Sequence, residues 1–196
     1  MSKKTKLIIV CAILLSLAVI SVTAFWFIKA QKNTQDSDNV QFSNNGISLD
    51  YPSTLKLRNL GQADRDANFI FIANEPADTG EPFQISVKYG QGIEKAASLS
   101  RKGPIEMLID NASRSYPIQY PEYKQLSTRR FEINGHKAAE LIFIYKNKGE
   151  LIRNRLILAL KDQDTVFYVS AQTKDSVFYD IDKKYFDPIV TSIQIN

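Results

Sequence analysis

The side chains that could do chemistry are few, and their spacing does not bring them together. His136 is the only histidine of the chain, and it directly follows Asn134-Gly135, a turn signal whose neighbours usually face water. A metal site needs three or four donors, and a Ser-His-acid triad would have to use this one residue. We therefore predict a surface histidine beside a turn, and no catalytic, metal-binding or cofactor-binding residue.

Two pairs of aspartates have the alternate spacing of calcium-binding carboxylates. Asp64 and Asp66 lack the glycine and the glutamate that complete a calcium loop. Asp162 and Asp164 stand between two strand patterns, where aspartate is a common turn residue. Both pairs are predicted to lie in solvated loops, and the sequence contains no glycine-rich phosphate-binding motif.

Tyrosines and arginines are the best candidates for an interaction surface. Tyr116, Tyr120 and Tyr123 lie around two prolines, and such loops recur at protein interfaces because tyrosine buries a large area with little loss of entropy. Covering one end of the sheet is the alternative role for these rings. Arg153 and Arg155 alternate along a strand pattern and so share one face. There they could bind an anionic partner or, as the favoured alternative, form salt bridges across the sheet.

The elements that position these residues follow residue 39, and short strand patterns separated by turn signals come first. A helix is predicted from Gly103-Pro104 to Tyr116-Pro117, because apolar residues recur there at helical spacing. Asn134-Gly135 and two later turns predict a four-stranded antiparallel meander, and a helical segment that restarts at Asp187-Pro188 closes the chain. This order predicts an α+β fold, an antiparallel β-sheet with helices packed on its faces as an α/β/α sandwich.

An apolar run of 22 residues without a charge precedes this domain, from Leu7 to Ile28. As a helix with a rise of about 1.5 Å per residue it would span roughly 33 Å, enough to cross a bilayer core. The lysines before it favour a cytoplasmic amino end, and a signal cleaved near Val22-Thr23-Ala24 is the alternative. The predicted parts are a cytoplasmic amino terminus (residues 1–6), a single-pass signal anchor in the cell membrane (residues 7–28), a flexible tether (residues 29–39) and an extracytoplasmic domain (residues 40–196).

The formal net charge of +4 arises beside this apolar run. Five of the 25 Lys and Arg residues flank it, so that from Asn33 onward 20 of them stand against 21 Asp and Glu residues. A domain of nearly balanced charge has no electrostatic footprint for nucleic acid. The predicted partners are therefore the membrane, through the N-terminal helix, and a protein at the membrane surface, with no nucleic acid.

Three short stretches carry a family resemblance: residues 46–53 (GISLDYPS), residues 133–140 (INGHKAAE) and residues 186–193. They resemble the opening strand, the central hairpin and the closing helix of the PsbP-like domain, which shares its fold with the Ran-binding Mog proteins. The resemblance covers residues 42–195 and implies an antiparallel sheet flanked by helices, used as a non-enzymatic accessory or binding module. The chain departs from cyanobacterial members, which are typically lipid-anchored, in its predicted membrane helix. The histidine and acidic metal sites of some relatives have no matching cluster in this sequence.

The residues and the resemblance together predict a membrane-anchored, extracytoplasmic module that binds or assembles and does not catalyse. One alternative is a small-ligand or lipid-headgroup binder with a cleft beside the sheet, which a deep pocket with convergent polar groups would favour. A less favoured alternative is an envelope hydrolase with an unfamiliar site, whose sign would be the loss of a detected activity on replacing His136.

Overall fold

The structure is a computed structural model, and it describes residues 39–74 and 83–196. The predicted signal anchor and nearly all of the predicted tether lie outside these residues. Among the helices that the structure describes, none is both long enough and apolar enough to cross a membrane.

Three strands form a small sheet in the order β1-β2-β10. β1 (Asn39–Asn44) turns through Asn45 and Gly46, both with positive φ, into β2 (Ile47–Pro52), as the Asn-Gly pair predicts. β10 (Gln194–Ile195) pairs with β2 in antiparallel register. The carboxyl end of the chain therefore returns to the beginning of the domain.

Seven strands form an antiparallel sheet in the order β3-β4-β5-β9-β8-β7-β6. They are β3 (Lys56–Leu57), β4 (Phe69–Asn74), β5 (Phe83–Gly90), β6 (Lys124–Ile133), β7 (His136–Asn147), β8 (Glu150–Leu160) and β9 (Val166–Lys174). The predicted meander is confirmed as β6 to β9. A long-range pairing adds β5 to β9, with Gln84 opposite Gln172 and Ser86 opposite Ser170.

The described helices fall into an early group and a closing segment. The early helices are α1 (Gln62–Asp66), α2 (Ile93–Ser100) and α3 (Pro104–Gln119). The closing part, called here the C-terminal segment, covers residues 175–192 and contains α4 (Phe178–Ile181), a π-helical turn (Asp182–Phe186) and α5 (Asp187–Ser192). The apolar stripe that predicts α3 is buried along its length, which confirms that helix.

Each face of the seven-stranded sheet carries its own apolar core, because successive residues of a strand point to opposite faces. In β8, Leu156 and Leu158 pack with α2 and α3, on what we call the α3 face. Ile157 and Ala159 pack with β2 and the C-terminal segment, on what we call the C-terminal face. Helices therefore cover both faces of an antiparallel sheet, and the predicted α+β architecture is confirmed.

Helix α3 continues past its predicted end at Tyr116-Pro117 and stops at Gln119. A proline in the last turn removes one backbone hydrogen bond. The helix tolerates this loss because another backbone hydrogen bond closes the turn. The backbone N–H of Tyr120 donates to the carbonyl oxygen of Tyr116 at 2.8 Å. The prediction was wrong by one turn, and that turn places Tyr120 over the sheet.

Two further helical details differ from the sequence pattern. The pattern does not predict α2, since only Ile93 and Ala97 are buried in it and two positions do not define a helical period. Helix α5 begins at Asp187, where the restart is predicted, but Asp187 is not a non-helical cap, because Phe186 and Asp187 are both helical and the C-terminal segment runs through them. This segment is therefore one continuous cover on the C-terminal face.

Candidate binding cleft

Helix α3 packs on β7 and β8, and beside it the α3 face of β5 and β9 borders a cleft. The side chains on that part of the sheet are polar, in contrast to the apolar residues beneath the helix. They are Gln84, Ser86 and Lys88 of β5, Asn154 of β8, and Tyr168, Ser170 and Gln172 of β9. We call this region the amide cleft.

The amide cleft consists of two neighbouring hollows that share Gln84 and Gln172. The larger, of about 460 Å³, lies at the end of the sheet near Asn74 and Tyr145. The smaller, of about 160 Å³, lies on the α3 face against Tyr168. The larger volume falls within the range of small-molecule sites, about 300–1,000 Å³.

Hydrogen bonds link the polar side chains of the cleft from strand to strand. The Tyr145 hydroxyl donates to Gln172 Oε1 at 2.9 Å, and Gln172 Nε2 donates to Gln84 Oε1 at 3.1 Å. Gln84 Nε2 in turn donates to Asn74 Oδ1 at 3.3 Å. Asn154 Nδ2 donates to the Ser170 hydroxyl at 3.0 Å. These bonds fix the positions of the amides.

The three tyrosines of the predicted surface meet above β7, where they form an aromatic wall with Phe143 and Tyr145. The Tyr116 ring centroid lies 5.3 Å from that of Tyr120 and 6.1 Å from that of Tyr123. Tyr120 lies 4.6 Å from Tyr145, and all three tyrosines contact the buried Phe143. The rings thus cover one end of the sheet, and Tyr116 and Tyr120 also border the smaller hollow.

Burial raises the pKa of phenols in this wall. It raises the pKa of Tyr145 to about 12, with a smaller contribution from Tyr120. The pKa of Tyr116 rises further, through burial first and then through the neighbouring phenols. Burial also raises the pKa of Tyr168. At neutral pH each of these hydroxyls is protonated, as an ordinary phenol is, so that it carries no charge and can both donate and accept a hydrogen bond.

Arg155 lies on the opposite, C-terminal face of the sheet, and its side chain is only 8% exposed. Its Nε donates to Glu140 at 2.6 Å, and its Nη1 donates to Asp182 at 3.0 Å and to Asp187 at 2.7 Å. The guanidinium also lies 5.3 Å from the ring centroid of Phe186. Burial raises the pKa of the Asp182 carboxyl, although Arg155 acts in the other direction.

Arg153 shares this face with Arg155, as the alternate spacing predicts, and it is also bonded within the chain. Its Nε donates to Asp175 at 2.6 Å, and its guanidinium lies 4.8 Å from the ring centroid of Tyr179. Both arginines therefore hold the C-terminal segment against the sheet. Salt bridging, the favoured alternative for these arginines, is what the structure shows, although most of the carboxylates come from the C-terminal segment and only Glu140 lies across the sheet. We call this group of ion pairs the arginine clamp.

No family model and no curated protein matches the chain. Solved structures do match it. Cyanobacterial PsbP (CyanoP) from Synechocystis aligns with a TM-score of 0.54 at 8% identity, over 81% of this chain and 93% of that one. The Ran-binding protein Mog1p of Saccharomyces cerevisiae gives 0.52 at 9% identity, over 81% and 95%. LpqN of Mycobacterium tuberculosis, described as involved in cell envelope biogenesis, gives 0.51 at 15% identity, over 81% and 91%.

The domain has the PsbP/Mog1-like fold. The fold implied by the resemblance of three short stretches is thus confirmed. At these identities the likeness is one of fold alone, and the functional residues have to be argued from the site itself.

Within this PsbP/Mog1-like fold, the other candidate residues are used locally. His136 is half-buried beside its turn, where it borders a separate hollow near Lys161. Asp64 accepts hydrogen bonds from Arg58 and from the backbone N–H of Gly61. Asp162 accepts from the backbone N–H groups of Asp164 and Thr165, which is a turn function. Among the described residues, no group of three or more metal-ligating side chains is placed to hold an ion.

The amides of the cleft are the candidate residues that sequence reasoning did not find. The sequence does contain one signal for them, because polar and apolar residues alternate along both β5 and β9. The polar positions include Gln84 and Ser86 on β5 and Ser170 and Gln172 on β9. An alternating polar face normally indicates exposure to solvent. Only the pairing of these two strands shows that the polar faces adjoin beside a helix.

Proposed function

We propose that the chain is a membrane-anchored, non-catalytic binding module that works outside the cytoplasm and recognises its ligand in the amide cleft. The observation that carries this proposal is the convergence of amides and hydroxyls from β5, β8 and β9 beside the aromatic wall. A concave site with a few ordered polar groups is the form that small-molecule sites take.

The chemistry of the cleft favours binding over catalysis. Carboxamides and serine hydroxyls do not titrate near neutral pH, and burial moves the pKa of the phenols still further above it. General acid–base catalysis needs a group whose pKa lies near the working pH. The descriptions of the structural neighbours, as PsbP, as Ran-binding and as involved in envelope biogenesis, name no enzyme and agree with a binding role.

The membrane part of the proposal is supported by the apolar run from Leu7 to Ile28 and by the lysines before it. Its test is protease treatment of intact cells that produce the full-length chain, followed by high-speed centrifugation. We expect the chain in the membrane pellet and its domain cut from outside. Protection of the domain until the cells are permeabilised, or recovery of the intact chain in the supernatant, would overturn this location.

Use of the cleft is tested with a photo-crosslinking amino acid, p-benzoylphenylalanine, in place of Tyr168 in the full-length chain. The matched control carries it in place of Tyr179, an aromatic residue that is 71% exposed on the C-terminal face. After irradiation in cells, intact-mass spectrometry should show an adduct at the Tyr168 position alone. No adduct there, or an equal adduct at both positions, contradicts recognition in the cleft.

A second candidate function is docking of the predicted protein partner on the end of α3. The observation that favours it is Ile118, which is 87% exposed beside Pro117 and Tyr120. A crosslinker in place of Ile118 should then give a protein adduct in membranes, and one in place of Leu99, 79% exposed on α2, should not. If the two positions behave alike, exposure of Ile118 has no part in recognition.

A further inference from the structure

We infer that the amide cleft binds a short, uncharged saccharide. This rests on the proposed function, because it names the class of ligand for the same cleft. Three properties lead to it: the near absence of charge among the described lining residues, the hydrogen-bonding character of the amides, and the rings that border the smaller hollow.

The charge of the lining selects a neutral ligand. Of the described side chains that border the two hollows, only Lys88 is charged, and its Nζ lies 5.2 Å from the ring centroid of Tyr168 and 5.9 Å from that of Phe69. A phosphate or carboxylate ligand would lose its hydration here without a set of cations to replace it, and a cation would find no carboxylate. The arginines and their acidic partners lie on the other face of the sheet.

The amides match a ligand rich in hydroxyl groups. A carboxamide offers two N–H donors and two acceptor lone pairs, and the hydrogen bonds described for Gln84 use two of these four positions. A sugar hydroxyl likewise donates and accepts. An amide can therefore bond to two adjacent hydroxyls of one sugar ring, donating to one and accepting from the other.

The strands beneath the cleft argue against an extended peptide as the ligand. Peptides that join a sheet do so at an edge, where backbone groups are unpaired. β5 lies between β4 and β9, and β9 lies between β5 and β8, so that their backbones are already paired on both sides. Recognition in the cleft must therefore come from side chains.

The rings of the smaller hollow supply the apolar part of the site. Tyr116, Tyr120 and Tyr168 border it, and all three keep their protons at neutral pH. A sugar ring has an apolar C–H face and a polar rim, so that it can pack on a phenol ring while its hydroxyls reach the amides. Tyrosine combines such an apolar body with a polar end.

The test uses the full-length chain in phosphatidylcholine nanodiscs, free of glycoside detergents that would compete for the cleft. The probes are maltotriose and N,N′,N″-triacetylchitotriose as neutral saccharides, trigalacturonate as the charged saccharide, and pentaglycine as the peptide. Saturation-transfer difference NMR and titration calorimetry measure binding. We expect saturable binding of at least one neutral saccharide, and weaker or no binding of trigalacturonate and pentaglycine.

The variant Gln172→Met should lower the affinity for the neutral saccharide about tenfold, as expected when one net hydrogen bond is lost. Gln84→Met should do the same, and it serves if the first variant does not fold. The matched control, Gln41→Met on β1, should bind as the wild type does. Circular dichroism of each variant verifies the fold.

The inference is overturned if neither neutral saccharide binds, if pentaglycine or trigalacturonate binds more tightly, or if both cleft variants keep wild-type affinity. These results are distinguishable from failure of the proposed function. A crosslink at the Tyr168 position without saccharide binding rejects the saccharide and leaves the cleft as a binding site. Absence of both rejects the cleft itself.

Discussion

Asn154 and Arg155 are neighbours in β8, yet they belong to two regions that use polar side chains in opposite ways. On the C-terminal face, Arg155 is buried and its charge is matched by carboxylates within the chain, so that it holds the C-terminal segment in place. On the α3 face, Asn154 and the glutamines are uncharged and border a cleft. The buried charge of Arg155 therefore serves the fold, and the neutral amides are the groups for which we propose a ligand.

The largest expected effect breaks the arginine clamp. Arg155→Leu removes the buried partner of Glu140, which keeps only the exposed Arg129. It also removes the counter-ion of the half-buried Asp182. Breaking a buried pair in this way costs about 3–5 kcal/mol of unfolding free energy. Urea unfolding of the full-length chain in nanodiscs, followed by circular dichroism, measures it. The control is Arg129→Leu, since that side chain is 62% exposed and its ion pair with Glu140 should contribute at most about 1 kcal/mol. Equal losses in the two variants would contradict the clamp.

The second prediction tests whether the loss of stability in Arg155→Leu comes from the carboxylates that have lost their partner. Adding Asp182→Asn to Arg155→Leu should restore part of the stability, with a coupling of about 1–3 kcal/mol, because it removes a charge that burial already disfavours. A double-mutant cycle in the same urea assay gives the coupling. Asp180→Asn, on an exposed residue of the same segment, is the control and should restore nothing. Additive effects of the first pair would show that Arg155 acts by packing.

The third prediction concerns how the stability contributed by each face of the sheet depends on pH. Folding raises the pKa of the Tyr116 and Tyr145 phenols above the ordinary value of 10.0. The stability that these phenols contribute is thus complete below pH 10 and is lost as the pH rises through 12, whereas the arginines stay charged. The urea midpoint should fall over this range. In Tyr116→Phe the urea midpoint should fall less than in the wild type, and in Tyr179→Phe it should fall as much as in the wild type. An equal fall in the two variants would be evidence against a contribution from buried phenols.

The smallest expected change in stability is for a variant in the amide cleft. Gln172→Met should change the unfolding free energy by about 0.5–1.5 kcal/mol, the usual net value of a hydrogen bond, because a half-buried amide at a cleft keeps access to water. The same urea assay measures it, beside Gln41→Met. A loss as large as that of Arg155→Leu would mean that the amides, like the clamp, serve the fold.

The parts of the fold that could be predicted depend on residues close together in the chain. Asn134 and Gly135 both have positive φ in the hairpin that their types require. The stripe that begins at Ile105 is buried because a helix aligns residues three and four apart. Helix α2 could not be predicted in this way, since its short apolar face gives too little signal. The end of α3 was predicted too early, because the neighbouring residues do not show that Pro117 lies within the last turn.

The sequence by itself determined the strands, their turns, the α3 helix and the parity that puts Arg153 and Arg155 on one face. It also contains the apolar run that predicts a membrane anchor. Tertiary structure alone decided which polar groups meet: Gln84 and Gln172 are 88 positions apart, and Arg155 reaches Asp182 across 27. The physical reason is that local geometry follows from the steric preferences of neighbouring residues. Many amides and carboxylates are chemically equivalent as partners, and only the order of the strands selects among them.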